Sequence, residues 1–253
     1  PGNLLKYRIA LYKEKIDIND DKLSCVLHFI DKFSSERGIE TLSLLFISIE
    51  KFYKQLFLLN GRNFLNYFNN YMKNNPSNKS GENYKLYESQ YDLHLKDNKD
   101  FTKLIKFMSD SFLTMSNVAN KEEVKKLKNP NFQVTILDSW FINYQKGGNV
   151  LPHAHGNCSW CCVYYVQLGK DANPTNGATY FQRPIPLRTQ TDFGSLYSKS
   201  LILSATPQEG KLVVWPNYLM HGSYPYAGEK NRIIVSANAL VSLTKKNKPV
   251  VSL

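Results

Sequence analysis

The sequence predicts an α+β fold, a helical N-terminal segment followed by an antiparallel β-sandwich or small barrel. Early in the chain apolar residues recur at helical spacing, whereas beyond about residue 130 they form short alternating or β-branched and aromatic runs. Gly, Pro, Asn and Asp clusters separate those runs. Helices first and strands afterwards is the order of an α+β chain rather than of alternating βαβ units. At 253 residues, 42% hydrophobic and 13% aromatic, the chain has ample material for a packed core, which excludes disorder for most of its length.

Between Leu4 and Lys73 the residues Leu42, Leu45, Phe46, Ile49, Phe52, Leu56 and Leu59 fall on one helical face, and two or three helices are expected there. Gly38 and Gly61 are natural breaks, and Asp20 or Asp21 caps the helix that carries Val26, Phe29, Ile30 and Phe33. The apolar-poor, turn-forming stretch Asn74 to Gly81 marks the boundary between a helical segment (1–80) and a β-rich domain (84–253). Tyr84 to His94 reads as extended. A helix then places Phe101, Leu104, Ile105, Met108 and Phe112 on one face, and a short charged helix, Lys121 to Leu127, precedes Pro130. Strands follow at Phe132–Ile136, Val163–Val166, Leu212–Trp215 and Ile233–Val235.

The long apolar stretch Thr41 to Leu59 contains Glu50, Lys51 and Lys54, each costing about 3 kcal/mol in a bilayer, so no membrane span is expected. The chain opens Pro1-Gly2 without an initiator Met, as a processed end would; its first residues show no leader pattern, and a natural targeting segment could have been removed. Of four cysteines, Cys158, Cys161 and Cys162 are crowded together, unlike the dispersed framework of a small secreted domain. These features together point to the cytoplasm. A net charge of +11 favours anionic partners, but the excess is spread along the chain and no aromatic-and-basic nucleic-acid platform is visible. The substrate stays open, with anionic and peptidyl compounds among the candidates. The N-terminal helices either brace the barrel or form a homodimer interface.

Of five histidines, three stand at informative places: His153 and His155 in Pro152-His153-Ala154-His155-Gly156, and His221 beside the predicted strand at Trp215. On an extended strand residues two apart face the same side, so both rings of His-Ala-His can address one point, and a third ligand must come from a remote strand. Three neutral imidazoles suit iron, copper, nickel or zinc and leave positions free for substrate and dioxygen. A rival reading joins His153 and His155 to Cys158 and Cys161 as a structural zinc site. Arg232, Ile234, Ser236 and Asn238 alternate onto one strand face, and an inward guanidinium needs either an internal acidic partner or a bound carboxylate. The aromatics Trp140, Tyr144, Phe181 and Trp215 read as core.

These fragments, with Val163-Tyr164-Tyr165-Val166, Tyr180 to Pro184 and Gly210 to Pro216 leading to His221, resemble the iron(II)- and 2-oxoglutarate-dependent oxygenases, particularly a group found in bacteria and phages. The resemblance spans roughly Tyr84 to Leu243. It implies a double-stranded β-helix (jelly-roll, cupin-like) barrel with flanking helices. It further implies a redox iron held by His153, His155 and His221, 2-oxoglutarate chelating it, and the distal carboxylate paired with Arg232. Ser236 and Tyr165 match places that supply further hydroxyl contacts. The implied reaction consumes dioxygen, converts 2-oxoglutarate to succinate and carbon dioxide, and hydroxylates a substrate. One departure stands out: the superfamily usually carries His-x-Asp or His-x-Glu where this chain has His-x-His. Three assignments follow: all three histidines ligate; one of the pair ligates with water; or His155 pairs with Asn157 while His153 stands behind. The shared strand face favours the first. A cupin-type three-His dioxygenase or isomerase without 2-oxoglutarate and a non-catalytic barrel are the alternatives.

Overall fold

The computed structural model describes residues 63–78, 85–127, 130–182 and 202–244. The expected helices before residue 63, the domain boundary at residue 80, Arg183 and Pro184, and Cys25 lie outside these residues. Helix α1 runs over 63–74. Strand β1 is Leu86–Glu88 and a 3-10 turn covers Leu93–Leu95, so only part of the stretch expected to be extended is a strand. Helices α2 (Lys99–Ala119) and α3 (Lys121–Lys126) follow. The remaining strands are β2 (Phe132–Tyr144), β3 (Val150–His153), β4 (Trp160–Gln167), β5 (Thr179–Gln182), β6 (Ile202–Ala205), β7 (Leu212–Pro216), β8 (His221–Ser223) and β9 (Arg232–Leu243).

They form two sheets, ordered β1-β2-β9-β4-β7 and β3-β8-β5-β6, with every pair of strands antiparallel. This is the double-stranded β-helix architecture. Alternation within single strands explains how the larger sheet serves two cores. Along β4, Trp160, Cys162, Tyr164 and Val166 join the helices, whereas Cys161, Val163 and Tyr165 face the barrel interior. Both faces being covered, β4 is buried along nearly its whole length and reads as a continuous apolar run.

On the helix side, α2 supplies Phe101, Leu104, Met108, Phe112 and Met115 at i, i+3, i+4 spacing, and Ile105 packs at their edge. Its start is fixed by the Asn98 side chain, which accepts from the Asp100 and Phe101 amides. Helix α1 adds Phe64 and Phe68, the latter stacked on Phe141 of β2 at 4.2 Å between ring centroids. With its outer face braced this way, the larger sheet can devote its inner face to a site.

That inner face is ordered by register. Between β2 and β9 the inward pairs are Tyr144 with Arg232, Ile142 with Ile234, Trp140 with Ser236, and Asp138 with Asn238. A shift between Ile136 and Asp138 ends the ladder's regularity just outside the last of these rungs. The four rungs span about 20 Å at a rise of about 3.4 Å per residue.

Candidate active site in the barrel

A cavity of about 410 Å³ opens between the sheets, lined among others by Tyr144, Thr179 and Arg232 at one end and by Ser236, His153, His155, His221, Trp215 and Asn238 towards the other. Tyr144, Trp140 and Trp215, expected as plain core, therefore also form its wall. Their rings do both jobs because strand alternation turns them inward while their edges pack on neighbouring core residues.

The three histidines converge: their ring nitrogens lie within 4.8 Å of one another, the only such group of possible metal ligands among the described residues. His153 and His221 are direct cross-strand partners on β3 and β8, with ring centroids 4.3 Å apart. Gly222 permits the approach of these strands, since a Cβ there would stand 2.7 Å from both the Val150 carbonyl oxygen and the Tyr180 hydroxyl. His155 arrives differently from expectation. Strand β3 ends at His153, so His155 belongs to the following loop, where its amide donates to the Asn217 carbonyl and its own carbonyl accepts from the Asn217 side chain. The i, i+2 argument thus reached the right neighbourhood through geometry that the backbone does not adopt.

Hydrogen bonds set the orientation of each ring. The Nδ1 groups of His153 and His221 donate to the carbonyls of Leu151 and Leu219, both at 2.9 Å, leaving their Nε2 lone pairs directed elsewhere. His155 Nε2 lies 3.3 Å from His221 Nε2. That separation matches the edge between adjacent nitrogens around an ion with bonds of about 2.1 Å, which is about 3.0–3.4 Å. The Nδ1 of His155 meets the Asn238 amide at 3.2 Å, and the same amide nitrogen donates to Asp138 at 3.4 Å. The partner of His155 is thus Asn238; Asn157 is exposed. Burial, followed by the nearness of His153, drives the His221 pKa down to about 3, so its imidazole is neutral and available as a ligand. Neither Cys158 nor Cys161 joins the group; their sulfurs face each other.

Arg232 is fully buried at the start of β9, and its Nε, Nη1 and Nη2 atoms have no hydrogen-bond partner among the described residues. The guanidinium lies over the Tyr144 ring at 4.2 Å and near the Tyr165 ring at 5.5 Å. Ring faces stabilise such a cation only modestly, whereas leaving a charged donor unpaired in the interior costs several kcal/mol. Among the described residues no acidic side chain pairs with it, so the internal ion pair, one of the two expected explanations, is not found there. Ser236 lines the same cavity. The Tyr165 hydroxyl donates to Thr179 Oγ1 at 2.9 Å, so the hydroxyl on the cavity wall at that level is that of Thr179. Sequence reasoning passed over Tyr144, Thr179 and Asn238 as site residues. Asn238 carried a signal in its place on the Arg232 face of β9, and Tyr144 in its place among the aromatics assigned to the core; Thr179 carried none.

No helix of the described residues is long and apolar enough to cross a membrane. Comparison with known proteins finds no match among curated sequences. Similar solved structures include a prolyl-4-hydroxylase from Pseudomonas putida, 13% identical over 73% of this chain and 86% of that one, TM-score 0.47. HygX from Streptomyces hygroscopicus, solved with nickel, 2-oxoglutarate and hygromycin B, is 10% identical over 71% and 77%, TM-score 0.43. AviO1 from Streptomyces viridochromogenes Tue57 is 12% identical over 81% and 90%, TM-score 0.48. The family model described as "Putative 2OG-Fe(II) oxygenase" matches residues 138–238, which begin at Asp138 and end at Asn238, the two ends of one rung beside His155. Over residues 138–238, then, the barrel of this chain is similar in sequence to the 2OG-Fe(II) oxygenases.

Proposed function

We propose that the protein is an iron(II)- and 2-oxoglutarate-dependent dioxygenase that hydroxylates its substrate and releases succinate and carbon dioxide. The observation that carries this reading is Arg232, a buried guanidinium without a hydrogen-bonding partner among the described residues, in the same cavity as three convergent imidazoles. His153, His155 and His221 hold the metal, and Arg232 grips the distal carboxylate of the cosubstrate through its planar donor fork. The hydroxyl of Ser236, and that of Thr179 held by Tyr165, are placed to accept or donate along the cosubstrate's length. Iron bound there supplies the activation of dioxygen that couples oxidation of 2-oxoglutarate to oxidation of a substrate C–H bond. A cupin-type enzyme without 2-oxoglutarate, or a barrel that only binds metal, gives Arg232 nothing to do.

In this reading His155 must present the Nε2 lone pair, so its proton sits on Nδ1 and needs an acceptor. Asn238 Oδ1 has no partner among the described residues, and a half-turn of the amide brings it against Nδ1 at the expense of the donation to Asp138. Asn238→Ala therefore weakens metal binding by about 10–100-fold, as loss of a group orienting a ligand does. Competition titration of cobalt(II) against a chelator measures it.

Away from Arg232 the cavity wall carries Glu88 and Asp138 beside Tyr91 and Trp140. Among the described residues that line it Arg232 is the sole Lys or Arg, and here it is committed to the cosubstrate. An anionic substrate group would face two carboxylates, so the wall favours a neutral or cationic one. Anaerobic titration with iron(II) and then 2-oxoglutarate tests the proposal. A weak visible metal-to-ligand band, followed by succinate formation once oxygen is admitted, is expected; iron binding with neither band nor succinate would refute it.

A further inference from the structure

Cys158 and Cys161 are both buried, and their sulfurs are 3.5 Å apart. Cys158 belongs to the loop that follows His155, whereas Cys161 is the second residue of β4, lines the cavity and has Asn238 as its partner across the β4–β9 pair. The two thiols therefore join the segment carrying one histidine to the strand beside the amide that orients that histidine. We propose that Cys158 and Cys161 are a dithiol–disulfide modification site, oxidised by hydroperoxide, whose state alters the metal affinity of the neighbouring histidines.

Bond formation requires the sulfurs to close from 3.5 Å to about 2.05 Å, a movement within reach of side-chain rotation of a loop residue. The roles within the pair are asymmetric. The hydrogen bond from Cys161 lowers the Cys158 pKa, and the hydrogen bond to Cys158 together with burial raises that of Cys161. Cys158 is thus the attacking sulfur: its thiolate takes the terminal oxygen of the peroxide, the O–O bond breaks, and a sulfenic acid and one water (or alcohol) form. The Cys161 sulfur then displaces that oxygen as a second water, leaving the disulfide. Two thiols lose two electrons and two protons in all, and the peroxide accepts both. Cys162, one residue on, points to the helix side, where burial raises its pKa, and it serves as an internal control.

The test uses the full-length, metal-free protein with one equivalent of hydrogen peroxide, followed by catalase, denaturing alkylation and peptide mass analysis. The peptide with Cys158 and Cys161 should lose two mass units and resist alkylation until dithiothreitol is added, while Cys162 stays alkylatable. Cobalt(II) affinity of the oxidised protein should shift by at least about fivefold and return on reduction. In Cys161→Ser, peroxide should leave Cys158 as a sulfenic acid trapped by dimedone. Retention of both thiols, direct passage of Cys158 to sulfinic acid, or a disulfide with unchanged cobalt affinity would each overturn the proposal. The wild-type measurements decide even if the variant fails to fold. None of them involves 2-oxoglutarate, so failure here and failure of the oxygenase reading are told apart.

Discussion

Arg232→Ala lowers the affinity for 2-oxoglutarate by two to three orders of magnitude while the protein keeps its metal. Removing one member of a desolvated charge pair costs about 2–5 kcal/mol, and each 1.4 kcal/mol is about tenfold. Arg232 is entirely buried, so a docked carboxylate cannot recover from solvent what the guanidinium gave it. Arg232→Lys keeps the charge but loses the bidentate fork and falls between the two. A second readout separates this role from a structural one. Without ligand the wild-type guanidinium lacks a hydrogen-bonding partner among the described residues, so the alanine variant should melt no lower than wild type when both are ligand-free, and lower only when both are saturated with 2-oxoglutarate. Isothermal titration of the cobalt-loaded proteins supplies the affinities. Unchanged 2-oxoglutarate binding would remove Arg232 from the site.

His221→Ala abolishes stoichiometric metal binding, with a loss beyond the 10–100-fold expected for the orienting Asn238. His221 is the buried member of the cluster, stands directly opposite His153, and has its Nδ1 proton committed to the Leu219 carbonyl, so one nitrogen alone is free to ligate. Metal content after equilibrium dialysis reads the effect. His153→Ala and His155→Ala should each weaken binding less severely if a water completes the set. Full retention of metal by His221→Ala would dissolve the proposed centre.

Much of this was legible in the sequence because it depended on local periodicity. The helix face of Phe101, Leu104, Met108 and Phe112 and the inward set Arg232, Ile234, Ser236 and Asn238 follow from one strand or one helix at a time. The convergence of His221 on the His-Ala-His stretch was reached by chemistry, since a pair of imidazoles needs a third. What escaped depends on register between strands that are far apart in sequence. Tyr144 lies beneath Arg232 because β2 and β9 pair at that position; one residue of slip would turn it outward. Asn238 meets His155 only because a loop beyond β3 folds back against β9, and no spacing rule encodes that return. The sulfur pair escaped for a similar reason. The three-residue interval between Cys158 and Cys161 is compatible with many side-chain directions, and a turn into β4 selects one of them.

The placement of the three imidazoles also bears on which ion the protein accepts. His153 and His221 are clamped opposite each other in a β ladder, whereas His155 rides the connection into β4. The third donor thus lies outside that ladder, on a loop tied to Asn217 through the His155 amide and carbonyl. With three neutral donors of one chemical kind, intrinsic preference follows the Irving–Williams order, and the occupant in the cell is set by supply.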